Sequence, residues 1–253
     1  MGDDILMVIS LSQINDYIKC PQYYQYKYNY KLEEKAIIEK EYSEKIHEII
    51  YHFFYRVLDK QVPGLHVLRD KWESLWFKKK IDPLQYLTTP KNPAWEMGVS
   101  GATLLTNFYN SNYQDPGAPL LINHSFTFPY GDHEITGQFE VVREIQDGPR
   151  RVIELIIYKT GRQTPTQWTV DNNLTISILS AAFRYLLRAK EQREVVYHLR
   201  SNKTFSTYRT KEELDKALKI VDRIVEGITQ NIFYPRHSFI CNNCSYKNYC
   251  GGN

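Results

Sequence analysis

Cysteine is scarce in this chain: there are four in 253 residues, and none in the stretch of about 220 residues between Cys20 and Cys241. Long apolar runs are also lacking. No segment approaches the roughly 18 apolar residues that a membrane-spanning helix needs. The opening Met1-Gly2-Asp3-Asp4 carries acid where a secretory leader carries base, so secretion is not expected and an intracellular, cytoplasmic location is. Leu6 occupies the position where N-myristoylation after Met1-Gly2 needs Ser or Thr. Neither sign of charge dominates, since the formal net charge is only +3. Such a balance permits a basic groove for nucleic acid without announcing one. No internal repeat, low-complexity tract or linker divides the chain, so residues 1–253 read as a single domain. Its parts are a helical region over about 1–115, a sheet-containing core over about 116–232 and a cysteine tail over 233–253.

Aromatic residues are plentiful at 14%, with 20 tyrosines, five of them at Tyr23, Tyr24, Tyr26, Tyr28 and Tyr30. Two readings stand for that cluster: base stacking, or helix packing with hydroxyls at the surface. Ser10-Leu11-Ser12-Gln13 opens a helix with Ser12 as its cap, and Cys20-Pro21 interrupts it, Pro21 beginning a new one. Ile46, Ile49, Ile50, Phe53, Phe54 and Val57 form the apolar stripe of a helix from about Ile37 to Leu58. Further helices are expected over Leu65–Lys80 and Ala94–Tyr109. Ala118–Tyr130, Glu134–Ile145 and Arg151–Tyr158 read as strands joined by turns at Gly131-Asp132 and Asp147-Gly148. A helix over Asn172–Lys190, a strand over Glu194–Leu199 and a helix over Lys211–Ile228 complete an α+β core. Residues Pro83–Pro93 and Gly161–Asp171 are the expected mobile loops.

The cysteines carry the first chemical signal. Cys20 stands alone, while Cys241, Cys244 and Cys250 form C-x2-C-x5-C. Four thiolates suit an iron–sulfur cluster or a tetrahedral zinc, and either would join the two ends of the chain as a clasp. Cysteines with metal-site spacing argue for a reducing compartment rather than for disulfides. The second signal is a set of polar residues among apolar patterns. His47 lies in the long helix, Glu140 in Gly137-Gln138-Phe139-Glu140, and Lys159 at the end of an apolar strand before Thr160-Gly161. Each also has an ordinary reading, as a helix histidine, a solvent-facing strand carboxylate and a charged strand end. His52 reads as structural or exposed. Lys78-Lys79-Lys80 and Arg184, Arg188, Lys190 and Arg193 read as solvated helix faces or as contacts to DNA phosphates.

Taken together, these motifs resemble the PD-(D/E)XK nuclease superfamily, in particular its iron–sulfur exonucleases of the RecB/AddB type and the CRISPR-associated exonucleases of spacer acquisition. There a helix histidine, a G-x-x-D strand, a D-x-K-T-G strand and a final C-x2-C-x5-C follow a cysteine-proline opening in this order. Here the matching positions are Cys20-Pro21, His47, Gly137 to Glu140, Tyr158-Lys159-Thr160-Gly161, and Cys241, Cys244 and Cys250. The resemblance spans Leu11 to Cys250. It implies a restriction-endonuclease-like core sheet flanked by helices, with an iron–sulfur clasp (a 4Fe–4S cluster, or zinc in its place). It also implies Mg²⁺ or Mn²⁺ held by His47 and Glu140, with Lys159 orienting the attacking water. The implied partner is DNA, single-stranded or with ends.

Two positions depart from the pattern. The family's second carboxylate precedes the lysine by two residues, where this chain has Ile157. Strand alternation puts Ile153, Leu155, Ile157 and Lys159 on one face and Glu154 on the other, so only a bulge would bring Glu154 to a metal. Glu144 is another candidate replacement. The family's Q-x-x-x-Y on the next helix is matched by Thr175 and Leu179. Two functions therefore compete: a metal-dependent DNA exonuclease centred on Glu140, Lys159, His47 and Glu154, and a catalytically silent scaffold that binds DNA or a protein partner.

Overall fold

The computed structural model describes residues 7–34, 37–78, 94–188 and 191–250. Pro83–Pro93, Lys79, Lys80 and Lys190 lie outside them. Among the described residues a mixed sheet carries helices on both faces. Its strands are β1 (Met7–Ser10), β2 (Ala118–Tyr130), β3 (His133–Asp147), β4 (Arg150–Lys159), β5 (Gln192–His198) and β6 (Lys203–Thr207). The order is β1-β3-β4-β5-β6, with β2 on β3. β1–β3 and β4–β5 run parallel, and the other pairs antiparallel.

On one face lie α1 (Leu11–Lys19), α7 (Leu174–Leu187) and α8 (Lys211–Thr229), whose Ile14, Ile178, Phe183 and Val221 meet Phe139, Leu155 and Ile157. The other face is covered by α3 (Ile38–Leu58), α4 (Leu65–Trp76) and α5 (Ala94–Asn112), whose Phe53, Trp72 and Phe108 meet Val141, Ile156 and Tyr158. Residues 155–158 alternate between the two cores, which is the period of two expected of a strand buried on both sides.

The α+β class and the long elements agree with the sequence reading. Several short ones escape it. β1 is four residues long. β6 is polar apart from Phe205, so it shows no alternation. α6 (Gln167–Asp171) forms inside the expected loop, because Thr166 and Thr169 cap it reciprocally. The cap of α1 is Ser10 rather than Ser12. Ser10 is the last extended residue, its Oγ accepts the Gln13 N–H at 3.1 Å, and Gln13 Oε1 accepts the Ser10 N–H at 2.9 Å. That exchange satisfies two donors left free at a helix start. Cys20 is extended (φ −167°, ψ 115°), and Pro21 opens α2 (Pro21–Tyr24), which continues as a π-helical turn over Gln25–Asn29.

The tyrosine cluster packs within the protein. Tyr23 and Tyr24 are buried, and Tyr24 stacks on Phe233 at 6.0 Å. Tyr28 donates to Asp16 and Tyr26 to the Tyr249 carbonyl, while Tyr30 is exposed.

Candidate active site

β3 pairs with β2 between His133 and Glu144, and its second edge is divided between two partners. β1 takes His133–Thr136 and β4 takes Val141–Asp147. Gly137–Glu140 spans the gap between them. The sheet changes phase at this point: Phe139 belongs to one core and Val141 to the other, although residues two apart on a regular strand share a face. The β2–β3 register skips Asn123 and Glu140 between the pairs Ile122–Val141 and His124–Phe139, and Asn123 has φ +49°, a conformation Asn tolerates better than most residues. Gly137 lets α1 close on the gap, since a Cβ there would lie 2.5 Å from Phe126 Cζ and 2.6 Å from Leu11 Cδ1.

At this gap Glu140 lies between two hollows, one lined by His47 and the other by Lys159. Glu140 Oε2 accepts the backbone N–H of Tyr158 at 2.8 Å, replacing a missing ladder bond. It also lies 3.3 Å from His47 Nε2, which is 3.2 Å from the Tyr158 carbonyl. His47 Nδ1 faces the Ser43 carbonyl at 2.7 Å, one turn earlier on α3. Burial opposes a charged imidazole, but the negative charge and hydrogen bond of Glu140 and the two carbonyls outweigh it and raise the His47 pKa.

Lys159 is the exposed last residue of β4 and shares a cleft with Glu140, Gln138, Asn15, Asn173 and Thr175. The turn after it is held at two points. Thr160 Oγ1 donates to Ser43 Oγ at 3.0 Å, and His198 Nε2 lies 2.9 Å from the Gly161 carbonyl. Because His198 Nδ1 accepts the Ser201 N–H at 3.3 Å, the ring proton sits on Nε2 and points at Gly161. Ser43, Thr160 and His198 were not singled out from the sequence. The S-x-x-x-H spacing of Ser43 and His47 on one helix face could have flagged Ser43, and Thr160 stood in the matched Lys159-Thr160-Gly161 motif without a role of its own.

The remaining candidates lie elsewhere. Ile157 is 3% exposed and part of the α1/α7 core. Glu154 is buried on the opposite face, bound by Arg143 Nε at 3.0 Å and Arg193 Nε at 2.7 Å. β4 has no bulge there to turn it round. Glu144 sits at the far end of β3, opposite Ile153 and beside Arg151. Thr175 donates to Asn15 Oδ1 at 2.7 Å and Leu179 is core, so that helix face contributes no long polar side chain. Arg193 is neutralised by Glu154 and Asp147, and Arg184 lies 4.6 Å from the centre of the Tyr208 ring. His52 is half-buried, its pKa lowered by burial and by Lys71 and Arg56.

At the opposite end of α1, Cys20, Cys241, Cys244 and Cys250 line one cavity together with Lys19, Arg236 and three tyrosines, Tyr23, Tyr26 and Tyr246. All four thiols are free and half-buried. Burial pushes the Cys244 thiol pKa up, and neighbouring Cys20 and Cys241 push it the same way. Among the described residues no three His, Cys, Asp or Glu side chains are arranged to hold a single metal ion.

Comparison with known proteins adds an independent line. The sequence model of the PD-(D/E)XK nuclease superfamily matches residues 8–251. No curated protein matches the chain. Among solved structures, the chain is similar to a "putative exonuclease" from Eubacterium rectale, with a TM-score of 0.54 at 12% identity, over 96% of this chain and 88% of the other. At that identity the likeness shows the fold alone. A second structure, that of SSO0001, superposes with a TM-score of 0.40 at 10% identity, over 99% of this chain and 87% of the other.

Proposed function

Because the chain belongs to the PD-(D/E)XK nuclease superfamily, we propose that it processes DNA, as a metal-dependent exonuclease of the iron–sulfur RecB/AddB type acting on single-stranded or end-containing DNA. The observation that carries this reading is the convergence of His47 and Glu140 at 3.3 Å, with Glu140 also lining the cleft that presents Lys159. Glu140 and His47 are the residues that would hold Mg²⁺ or Mn²⁺. The donors present fit such an ion in part, since one carboxylate, one imidazole and the Tyr158 carbonyl meet there and Mg²⁺ commonly takes its other ligands from water and substrate phosphate. Held there by Glu140 and His47, such an ion would supply Lewis-acid chemistry, lowering the pKa of a water and polarising the scissile phosphate. Lys159 contributes a cation beside the attacked phosphorus, where it orients the nucleophile and offsets charge on the phosphoryl oxygens. Ser43 holds the imidazole through Nδ1, so Nε2 is directed at Glu140.

For the cysteines, four free thiols around one cavity support a 4Fe–4S cluster, with zinc as the alternative. Thiolates that surround a cavity suit a cluster of several atoms better than a single ion. Such a cofactor fits a reducing, cytoplasmic location.

A second reading is favoured by Ile157, which puts a buried methyl group where a hydrated ion would meet its second carboxylate. In that reading the fold is a catalytically silent scaffold for DNA or for a protein partner. Anaerobically purified protein incubated with end-labelled single-stranded DNA and Mn²⁺ separates the two. Cleavage that disappears in Lys159→Ala establishes the nuclease. Binding without cleavage in the unmodified chain establishes the scaffold.

A further inference from the structure

Trp168 is the most conspicuous side chain without a role in the fold. It is 72% exposed on α6, the short helix between the Lys159 turn and α7. Indoles are normally mostly buried, because leaving so large an apolar surface in water forfeits burial energy. The exposure does not arise from a loose segment. Val170, two residues on, is 2% exposed in the core, and its carbonyl accepts Arg209 Nη2 at 2.7 Å. Gln167 Nε2 donates to the Ser206 carbonyl at 2.9 Å, and Asp171 Oδ1 accepts Thr207 Oγ1 at 2.7 Å. α6 is thus pinned to β6 and to the core, with its indole turned outward.

The position beside the cleft matters more. Asn173 and Thr175, which follow α6, line the cleft that holds Lys159 and Glu140. With about 1.5 Å of rise per helical residue, Trp168 lies on the order of 10 Å along the chain from that wall. The loop leading to α6 carries the exposed cation Arg162. An exposed ring and an exposed guanidinium on the segment that runs into the cleft wall are the elements of a stacking platform for single strands. We propose that Trp168 stacks on an unpaired base of a nucleic-acid strand entering the Lys159 cleft. The inference rests on the nucleic-acid reading given above and narrows its substrate to strands with unpaired bases.

The test is a fluorescence titration of the full chain with a short oligothymidylate. Trp72 and Trp76 are buried against each other, and a Trp168→Phe variant assigns the signal to Trp168. The wild type is expected to show quenching on binding, and Trp168→Phe to lose it. Trp168→Ala is expected to bind about 5- to 150-fold more weakly, the usual effect of removing one stacked base contact. A duplex closed at both ends by non-nucleotide linkers is expected to leave the fluorescence unchanged. Equal affinity in Trp168→Ala, or equal quenching by the closed duplex, overturns the stacking role and leaves the nuclease reading standing. A wild type that binds no oligonucleotide overturns both. The variant's circular dichroism and melting curve check that the exposed site was changed without loss of fold.

Discussion

At the scale of single residues, the chemistry turns on which face of β4 a side chain occupies. Ile157 faces the α1/α7 core and Glu154 the opposite one, where two arginines neutralise it. Ile157→Asp would place a second carboxylate beside Glu140 and Lys159. It is expected to raise Mn²⁺ affinity in a calorimetric titration. Thermal unfolding should show a cost of about 2–4 kcal/mol, because a buried methyl becomes a partly buried charge. No gain in affinity would show that the gap cannot seat an ion even with both carboxylates. Glu194 poses a separate residue-scale question. It is 1% exposed, and neither carboxylate oxygen has a hydrogen-bond partner. Burial raises its pKa, outweighing the positive charges of Arg184 and Arg209. The folded chain therefore binds this proton more tightly than the unfolded chain. Its stability is fully present below the ordinary value of 4.5 and falls as pH rises through the raised pKa. Glu194→Gln is expected to stabilise the protein by about 1–3 kcal/mol at pH 8 and to change little at pH 4. Melting curves at the two pH values check this, and an equal effect at both would refute it.

At the scale of elements, the site exists because β3 changes partners. Regular pairing of β3 with one neighbour would consume the edge at Gly137–Glu140 in ladder hydrogen bonds. The divided edge leaves Glu140 free to accept Tyr158 N–H with a side-chain oxygen and to meet His47 with the same atom. Gly137 is the hinge of that arrangement, since α1 packs where its Cβ would be. Gly137→Ala is expected to cost about 1–3 kcal/mol by overpacking against Phe126 and Leu11, lowering the denaturation midpoint. An unchanged midpoint would mean that α1 is free to move away. The long helices and the β2–β3–β4 meander were legible because each carries many periodic positions. β6 was not, since a polar edge strand owes its existence to β5 beside it. The α6 helix was hidden for a similar reason: its Thr166–Thr169 cap lies in a stretch otherwise rich in loop formers.

At the scale of the whole molecule, hydrogen bonds that involve no thiol join the segment around Cys20 to the segment that precedes Cys241. Tyr17 Oη donates to the Ile232 carbonyl at 2.8 Å, and Gln22 N–H donates to that of Tyr234 at 3.1 Å. Arg236 Nη1 donates to the Ile18 carbonyl at 2.7 Å. The proposed cluster would sit at the end of this seam. Cys20→Ser is expected to lower the melting temperature by roughly 5 °C or more, because a cofactor bound only by the folded chain adds its binding energy to stability. A visible charge-transfer band in anaerobic protein would identify iron–sulfur. A colourless zinc-loaded protein would identify the alternative, and an unchanged melting temperature in Cys20→Ser would remove the clasp.

The class of fold, the long elements and the identity of the polar residues placed among apolar ones were readable from the amino-acid order. Those properties follow from local periodicity and from residue chemistry at fixed spacing. The amino-acid order also determined that Ile157 and Lys159 share a face, since alternation along a strand is a backbone property. Tertiary structure alone decided that His47 meets Glu140, that Glu154 is claimed by Arg143 and Arg193, and that Ser43, Thr160 and His198 hold the turn after Lys159. Those contacts join residues more than 10 positions apart. The packing of α3 against the sheet brings His47 to Glu140 and Ser43 to Thr160, while the pairing of β4 with β3 and β5 sets Glu154 beside Arg143 and Arg193 and His198 beside the turn at Gly161.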